Sequence, residues 1–169
     1  MASVQELYRL EPLGHHDRQG FSCGVESLDS YLKTQASQDI RRKANAVFVL
    51  VPSDDPTTIA GYFTLCAYGL SPGTIPEAAQ KYTPRYPLVS ATLIGRLAVS
   101  KDRQGSGLGS VLLAWALQKA FENSSVVGSS MVVVDAIDGG AVRFYEAHGF
   151  VKLRESMRLV LPIQMIAKL

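Results

Sequence analysis

The stretch Ile94–Leu117 reads IGRLAVSKDRQGSGLGSVLLAWAL, and its reading decides the fold. The apolar run Leu93–Val99 predicts a strand, which gives way to a short polar turn. The turn opens onto Gly105, Gly107 and Gly109, and these open a helix expected from Gly107 to about Phe121. Leu108, Val111, Leu112, Trp115 and Ala116 recur at helical spacing and predict the face that packs on the sheet, with Trp115 in the core. A helix start carries unpaired N–H groups and the positive end of the helix dipole. A diphosphate sits there when no side chain blocks the backbone, and glycine removes the block. Other glycine-rich loops fit less well. The triphosphate loop needs Gly-Lys-Ser/Thr, a triplet that does not occur in this chain. The dinucleotide loop G-x-G-x-x-G does not match alternating glycines, and it opens a βαβ domain, whereas this loop lies past mid-chain. A glycine-rich turn without a ligand is the plain structural alternative.

At 169 residues the chain is long enough for a sizeable core and is expected to be one domain, residues 1–169. A hydrophobic fraction of 47% with 19% charged residues fits a soluble globular protein. A net charge of +2 is too small to argue for a polyanionic partner, so that case must rest on where the charges lie. Cys23 and Cys66 are too few for a disulfide scaffold and read as reduced cysteines. No further ligands stand at metal spacing, so no metal is expected. The start MASVQELYRL has no apolar signal core, and no apolar run reaches spanning length. These features predict a cytoplasmic protein that does not engage a membrane.

Upstream, Leu7–Leu10 predicts a short strand, followed by His15 and His16 in an exposed polar turn. Val25, Leu28, Tyr31 and Leu32 predict a helix, and Ala36–Lys43 a second one. The second ends in Arg41, Arg42 and Lys43, with Lys33 one element earlier. Such a cluster is either a solvated helix end that complements the dipole or a footprint for a phosphate backbone. Ala46–Val51 and Ile59–Leu70 predict an antiparallel hairpin, with Gly61 and Gly69 marking a bulge or bend. The proline-rich Ser71–Pro87 predicts a loop holding a short helix, Glu77–Lys81. Downstream, Met131–Val134 reads as a buried strand, Ala141–His148 as a helix capped by Gly149, and Val151–Leu153 with Met157–Leu161 as a final hairpin. The order predicts a mixed α/β sheet rather than a regular doubly wound one.

Gln104, Gly107 and Gly109 fit a Q/R-x-x-G-x-G/A loop, and Phe144-Tyr145-Glu146-Ala147-His148-Gly149-Phe150 forms a second motif. In this order and separation the pair resembles the GNAT superfamily of acetyl-CoA-dependent N-acetyltransferases. Phe21–Gly24, Leu28–Leu32, Gly61–Leu65, Gly95–Val99 and Val134–Ala136 extend the resemblance over nearly the whole chain. They are similar to the GNAT toxins of type II toxin–antitoxin modules. The resemblance implies a mostly antiparallel central sheet flanked by helices, in which a splayed strand pair forms the acetyl-CoA notch. It implies acetylation of the α-amine of aminoacyl-tRNA, a block of translation, inhibition by a ribbon-helix-helix antitoxin, and a homodimer. It also implies that backbone groups of Leu97, Ala98 and Val99 pair with the pantetheine arm. Gln104, Gly105, Ser106, Gly107, Leu108, Gly109 and Ser110 would hold the diphosphate. Asp135 and Tyr145 complete the acetyl-CoA site, with Tyr145 near the thioester sulfur.

The chemistry supports a role for Tyr145. Acetyl transfer needs a neutral amine, a donor for the carbonyl oxygen and a proton for the departing thiolate. A phenol of pKa about 10 is protonated at neutral pH and can give that proton. The alternative is an aromatic packing residue beside Phe144 and Phe150. The backbone N–H of Val99 is the candidate donor to the carbonyl oxygen. No Asp or Glu lies between Glu77 and Asp102, the region where a lysine acetyltransferase often keeps its base. An α-amine of pKa about 8 needs such a base less than a lysine does. Lys33, Arg41, Arg42, Lys43, Arg85 and Arg96 are the candidate tRNA-binding residues, Arg96 being alternatively one half of a structural ion pair. Tyr82 or Tyr86 could stack on an acceptor end. The rival functions are an acetyltransferase of a small amine or protein N-terminus, and a non-catalytic module that keeps the fold.

Overall fold

Strand β4 (Val89–Val99) carries the chain between two compact units, one comprising Met1–Leu65 with Arg96–Ala116 and the other Cys66–Gly95 with Leu117–Leu169. The structure is a computed structural model, and it describes residues 2–154 and 156–166.

In the first unit a capping box opens the short helix α1 (Val4–Leu7): Ser3 Oγ accepts from the Glu6 N–H, and the Glu6 carboxylate accepts from the Ser3 N–H. The cap holds Leu7 in a helix rather than in the predicted strand, and β1 (Tyr8–Pro12) starts one residue later. β1 pairs antiparallel with β2 (Ala46–Pro52), and β2 with β3 (Gly61–Leu70), in the expected hairpin with Val49 opposite Tyr62. The two expected helices are one continuous run: α2 (Glu26–Ser30), a π-helical turn (Tyr31–Gln35) and α3 (Ala36–Arg41). The Ala36 N–H reaches back to the Tyr31 carbonyl, which adds a residue to that turn. Leu28, Tyr31, Leu32 and Ala36 are thereby buried against Val47, Val49, Val51, Tyr62 and Ala98. Gly61 marks a close approach rather than a bend, since a Cβ there would lie 2.9 Å from the Ala98 carbonyl. His16 is also not the exposed residue expected. Its side chain is 7% exposed, with Nε2 2.9 Å from Glu11 Oε1 and Nδ1 accepting from the Gly14 N–H at 3.1 Å.

In the second unit, α4 (Glu77–Gln80) interrupts the proline-rich loop as expected. β4 begins at Val89, earlier than Leu93, because the Ser90 carbonyl already accepts from the Ser130 N–H, just before β5, at 2.9 Å. β4 pairs parallel with β5 (Met131–Asp135) from Ala91↔Met131 to Ile94↔Val134, and β4 then continues to Val99. β5 pairs antiparallel with β7 (Arg158–Pro162), which pairs antiparallel with β6 (Val151–Lys152). Met131–Val134 are fully buried, as a strand covered on both faces must be. The order of the seven-stranded mixed sheet is β1-β2-β3-β4-β5-β7-β6.

Helix α5 (Leu108–Asn123) buries Leu108, Leu112, Leu113, Ala116, Leu117 and Ala120. That stripe is turned by about one position from the expected one, so Trp115 falls at its edge and is half-buried, not core. Helix α6 (Gly139–Ala147) starts before the expected Ala141 because Asp138 caps it, its carboxylate accepting from the Ala141 N–H at 2.8 Å. Gly149, at φ +92°, closes it in the left-handed conformation that glycine tolerates. Ile163–Ile166 form a last short helix, α7.

Candidate active site

The glycine loop lies in the first unit. Gly105 and Gly107 have φ of +83° and +84°, and a Cβ on either would meet no protein atom within 4 Å. Glycine is needed there for the backbone conformation, while the space beside it stays open. Among the described residues the N–H groups of Gly105, Ser106, Gly107, Leu108 and Gly109 donate to no protein acceptor. Five successive free donors at the start of a long helix are a cradle for an anion. The Gln104 side chain does other work: its Nε2 donates to the Cys23 and Val99 carbonyls, each at 2.8 Å, and fixes the loop to the end of β4. Ser106 Oγ donates to the Arg103 carbonyl at 2.9 Å, tightening the turn. Ser110 is exposed, Leu97 and Val99 are half-buried, and Ala98 is buried.

Arg96 leaves β4 in the same unit and stacks on Tyr31, its guanidinium carbon 3.6 Å from the ring centroid. It forms no ion pair among the described residues, so the cation–π contact replaces the ion pair considered from sequence. Tyr31 in turn donates to Asp39 Oδ2 at 2.9 Å. Burial first, then that carboxylate, pushes the phenol up to about 12. Hydrogen bonds from Gln35, Asn45 and Tyr31 hold the Asp39 carboxyl below its ordinary range. Arg41, Arg42 and Lys43 are exposed at and beyond the end of α3, and Lys33 is half-buried on the π turn. Lys43 stands at φ +60°, where the chain turns out of the helix.

Tyr145 lies in the second unit, on α6. Its ring is 5% exposed and packs edge-on against Phe144 and Phe150, with centroids 5.3 and 5.6 Å away. Burial, and next the negative charge of Asp135, raise its phenol above the ordinary range. Its hydroxyl makes no hydrogen bond to any described residue, and the oxygen itself is not sealed from solvent although the ring is buried. The arrangement keeps a proton on an oxygen that no described residue accepts it from. Asp135 is held by Arg158, whose Nε donates to Oδ1 at 2.6 Å, while Nη1 donates to the Tyr68 hydroxyl. Arg158 and Tyr68 carry no sequence signal of their own. Strand pairing sets Arg158 opposite Asp135, and Tyr68 joins through the Arg158 guanidinium, so only the fold could have revealed them. Arg85 is exposed in the loop before β4.

Residues 54–152 match the sequence pattern of the acetyltransferase (GNAT) domain, more than half of the chain. The chain belongs to the GNAT acetyltransferases. Within that family it is 28% identical to a probable toxin, TacT, of Sinorhizobium fredii, over 95% of this chain and 93% of the relative. Among solved structures it is similar to AtaT complexed with acetyl-methionyl-tRNA, with a TM-score of 0.86, 29% identity, and 95% and 98% of the two chains covered. It is also similar to a mutant AtaT toxin bound to the C-terminus of the antitoxin AtaR and acetyl-CoA, with a TM-score of 0.81, 26% identity, and 95% and 96% covered. Among the described residues no helix is long and apolar enough to cross a membrane. Nor do three or more His, Cys, Asp or Glu among them gather as they would around a metal ion.

Proposed function

We propose that residues 1–169 form one acetyltransferase domain that moves acetyl from acetyl-CoA to the α-amine of aminoacyl-tRNA and so blocks translation. The observation that carries the reading is Tyr145: a buried phenol, held protonated, with no partner for its hydroxyl among the described residues. The free N–H groups of Gly105, Ser106, Gly107, Leu108 and Gly109 fit the diphosphate, with Ser110 beside them. Backbone groups of Leu97, Ala98 and Val99 take the pantetheine arm, and the Asp135 end of β5 borders the thioester.

Acetyl-CoA supplies the activated acetyl group as a thioester. The Val99 N–H donates to the carbonyl oxygen as negative charge gathers on it. The Tyr145 hydroxyl gives its proton to the departing sulfur. The acceptor is an α-amine of pKa about 8, lowered further by the neighbouring ester, so a useful fraction is neutral without a dedicated base. That agrees with the absence of Asp and Glu between Glu77 and Asp102.

Phosphates of the acceptor are met by Lys33, Arg41, Arg42, Lys43 and Arg96 in the first unit and by Arg85 in the second. AtaT's complex with acetyl-methionyl-tRNA supports this class of acceptor. The enzyme acts as a cytoplasmic homodimer, and a ribbon-helix-helix antitoxin silences it; AtaT bound to its antitoxin AtaR supports such control. The test is transfer of labelled acetyl from acetyl-CoA to a pool of aminoacylated tRNA, beside uncharged tRNA and polyamines. Label is expected on charged tRNA alone. Label on a free amine with none on tRNA would overturn the acceptor and leave the acetyltransferase.

A further inference from the structure

Several ties hold the glycine loop to the rest of the first unit. The Ser100 N–H donates to the Ala60 carbonyl at 2.9 Å, and the Lys101 N–H to the Ser22 carbonyl at 2.8 Å. Gln104 Nε2 reaches the Cys23 and Val99 carbonyls, and Ser106 Oγ the Arg103 carbonyl. One tie runs further. Arg103 ends a 3-10 turn, Lys101–Arg103, and sends its guanidinium to β1, where Nη1 donates to the Tyr8 hydroxyl at 3.0 Å, 95 positions away in sequence. β1 is the edge strand of the sheet, and Tyr8 is paired there with Pro52 of β2.

Stability gives little reason for this contact. Arg103 Nε is buried and has no hydrogen-bond partner among the described residues. The guanidinium carbon lies 5.7 Å from the Tyr8 ring centroid, near the outer limit of a cation–π contact. A buried donor left unpaired costs at least as much as one hydrogen bond to a neutral phenol returns. The contact is better understood by what it fixes. Gly105 and Gly107 stand at positive φ, and the space where a Cβ would sit is open, so neither packs on the protein. The path of the five free N–H groups is therefore set from outside the glycines, by Arg103 and Gln104 before them and α5 after them. Arg103 holds that path twice. Its carbonyl accepts from Ser106 inside the loop, and its side chain is anchored on β1. With Nε buried and Nη1 on Tyr8, two of its three side-chain nitrogens are committed to the protein.

We propose that Tyr8 is a positioning residue for the glycine loop: by holding Arg103 it keeps the N–H groups of Gly105–Gly109 in one fixed cradle, formed before the diphosphate of acetyl-CoA arrives. The inference rests on reading that loop as the diphosphate site. It adds to the site a residue from the start of the chain that lies outside both sequence motifs and acts through Arg103. A cradle held in its bound shape binds more tightly than one the ligand must order, because the ordering cost is removed from the binding step.

The test is equilibrium binding, by ligand-observed NMR titration, of acetyl-CoA and of S-acetylpantetheine, which carries the same thioester arm without the diphosphate. Wild type, Y8F, R103M and the double variant Y8F/R103M are compared. Y8F removes one oxygen on β1 and leaves the charge of Arg103 in place. It is expected to weaken acetyl-CoA about fivefold and to move S-acetylpantetheine by less than about twofold. R103M loses at least as much on acetyl-CoA, and Y8F adds nothing further to it, because the two residues act as one unit. A disturbed fold would weaken both ligands alike, so equal losses in Y8F overturn the proposal and leave the diphosphate site standing. A Y8F enzyme that binds acetyl-CoA like wild type, beside a weak R103M, also overturns it, since the guanidinium then works on the diphosphate without Tyr8. Additive losses in the double variant count against it in the same way. If wild type itself binds acetyl-CoA no more tightly than S-acetylpantetheine, the loop is not a diphosphate site, and the proposal falls with that reading.

Discussion

Each compact unit brings together two tyrosines, an arginine and an aspartate, and the two groups are wired in opposite ways. In the first unit Tyr62 donates to the Leu28 carbonyl at 2.7 Å and Tyr31 to Asp39, so both hydroxyls are engaged within the protein. Arg96 there has an aromatic face under it and no ion-pair partner among the described residues. In the second unit the arginine is the engaged member, with Arg158 bound to Asp135 and Tyr68, and it is Tyr145 whose hydroxyl has no partner among the described residues. The same residue types thus give one unit a locked hydroxyl and an available cation, and the other a locked cation and an available hydroxyl. A group with no partner inside the protein is the one left to meet a ligand. A group with a partner holds the fold or sets the local charge.

Substitution of the two buried tyrosines tests this contrast where it predicts the largest difference. Tyr145→Phe removes an oxygen the fold does not use. It is expected to lower kcat by about a hundredfold or more, within the usual range for loss of a general acid, with acetyl-CoA affinity and melting temperature nearly unchanged. Steady-state kinetics beside acetyl-CoA binding decides it; an equal fall in kcat and affinity would remove the proton-donor role. Tyr62→Phe should do the reverse. It leaves the Leu28 carbonyl without its side-chain donor in a buried site and is expected to cost about 1–2 kcal/mol in denaturant unfolding, with kcat unaltered. A Tyr62→Phe enzyme that is stable but slow would break the comparison.

Much of this was legible in the chain because it is local. The glycine loop and the Phe144–Phe150 motif are each a short run of consecutive residues, and their residue types carry their own conformational demands. Gly105 and Gly107 do stand at positive φ, and Gly149 does close α6. The errors are those of residues whose neighbours come from far away. Trp115 was expected in the core because a helical stripe fixes only the spacing of its members. The rotation of that stripe is set by what packs on it. The Gln104 amide donates to the carbonyl of Cys23, a residue 81 positions earlier, a contact the loop motif does not reveal. Arg158 lies 23 residues from Asp135 and 90 from Tyr68, and neither spacing is a pattern that periodicity can detect. The Leu7 strand failed for the opposite reason, since a Ser3–Glu6 capping box about one turn wide outweighed the apolar alternation.

The smallest effect is expected at Arg96, and it separates the two arginines most sharply. A guanidinium that neutralises one acceptor phosphate releases about one counterion on binding, so its loss is read in salt dependence more than in rate. Arg96→Gln is expected to raise KM for charged tRNA roughly threefold at moderate salt, and to lower the slope of log KM against log salt by about 0.9. The value of kcat at saturating tRNA should be unaltered, because the role given to Arg96 is in binding the acceptor's phosphates. Arg158→Gln should leave the salt slope alone, since its charge is already matched by Asp135. Measuring both variants across a salt series tests the wiring directly. If Arg158→Gln changes the slope and Arg96→Gln does not, the available cation belongs to the second unit, and the acceptor's phosphates are met there instead.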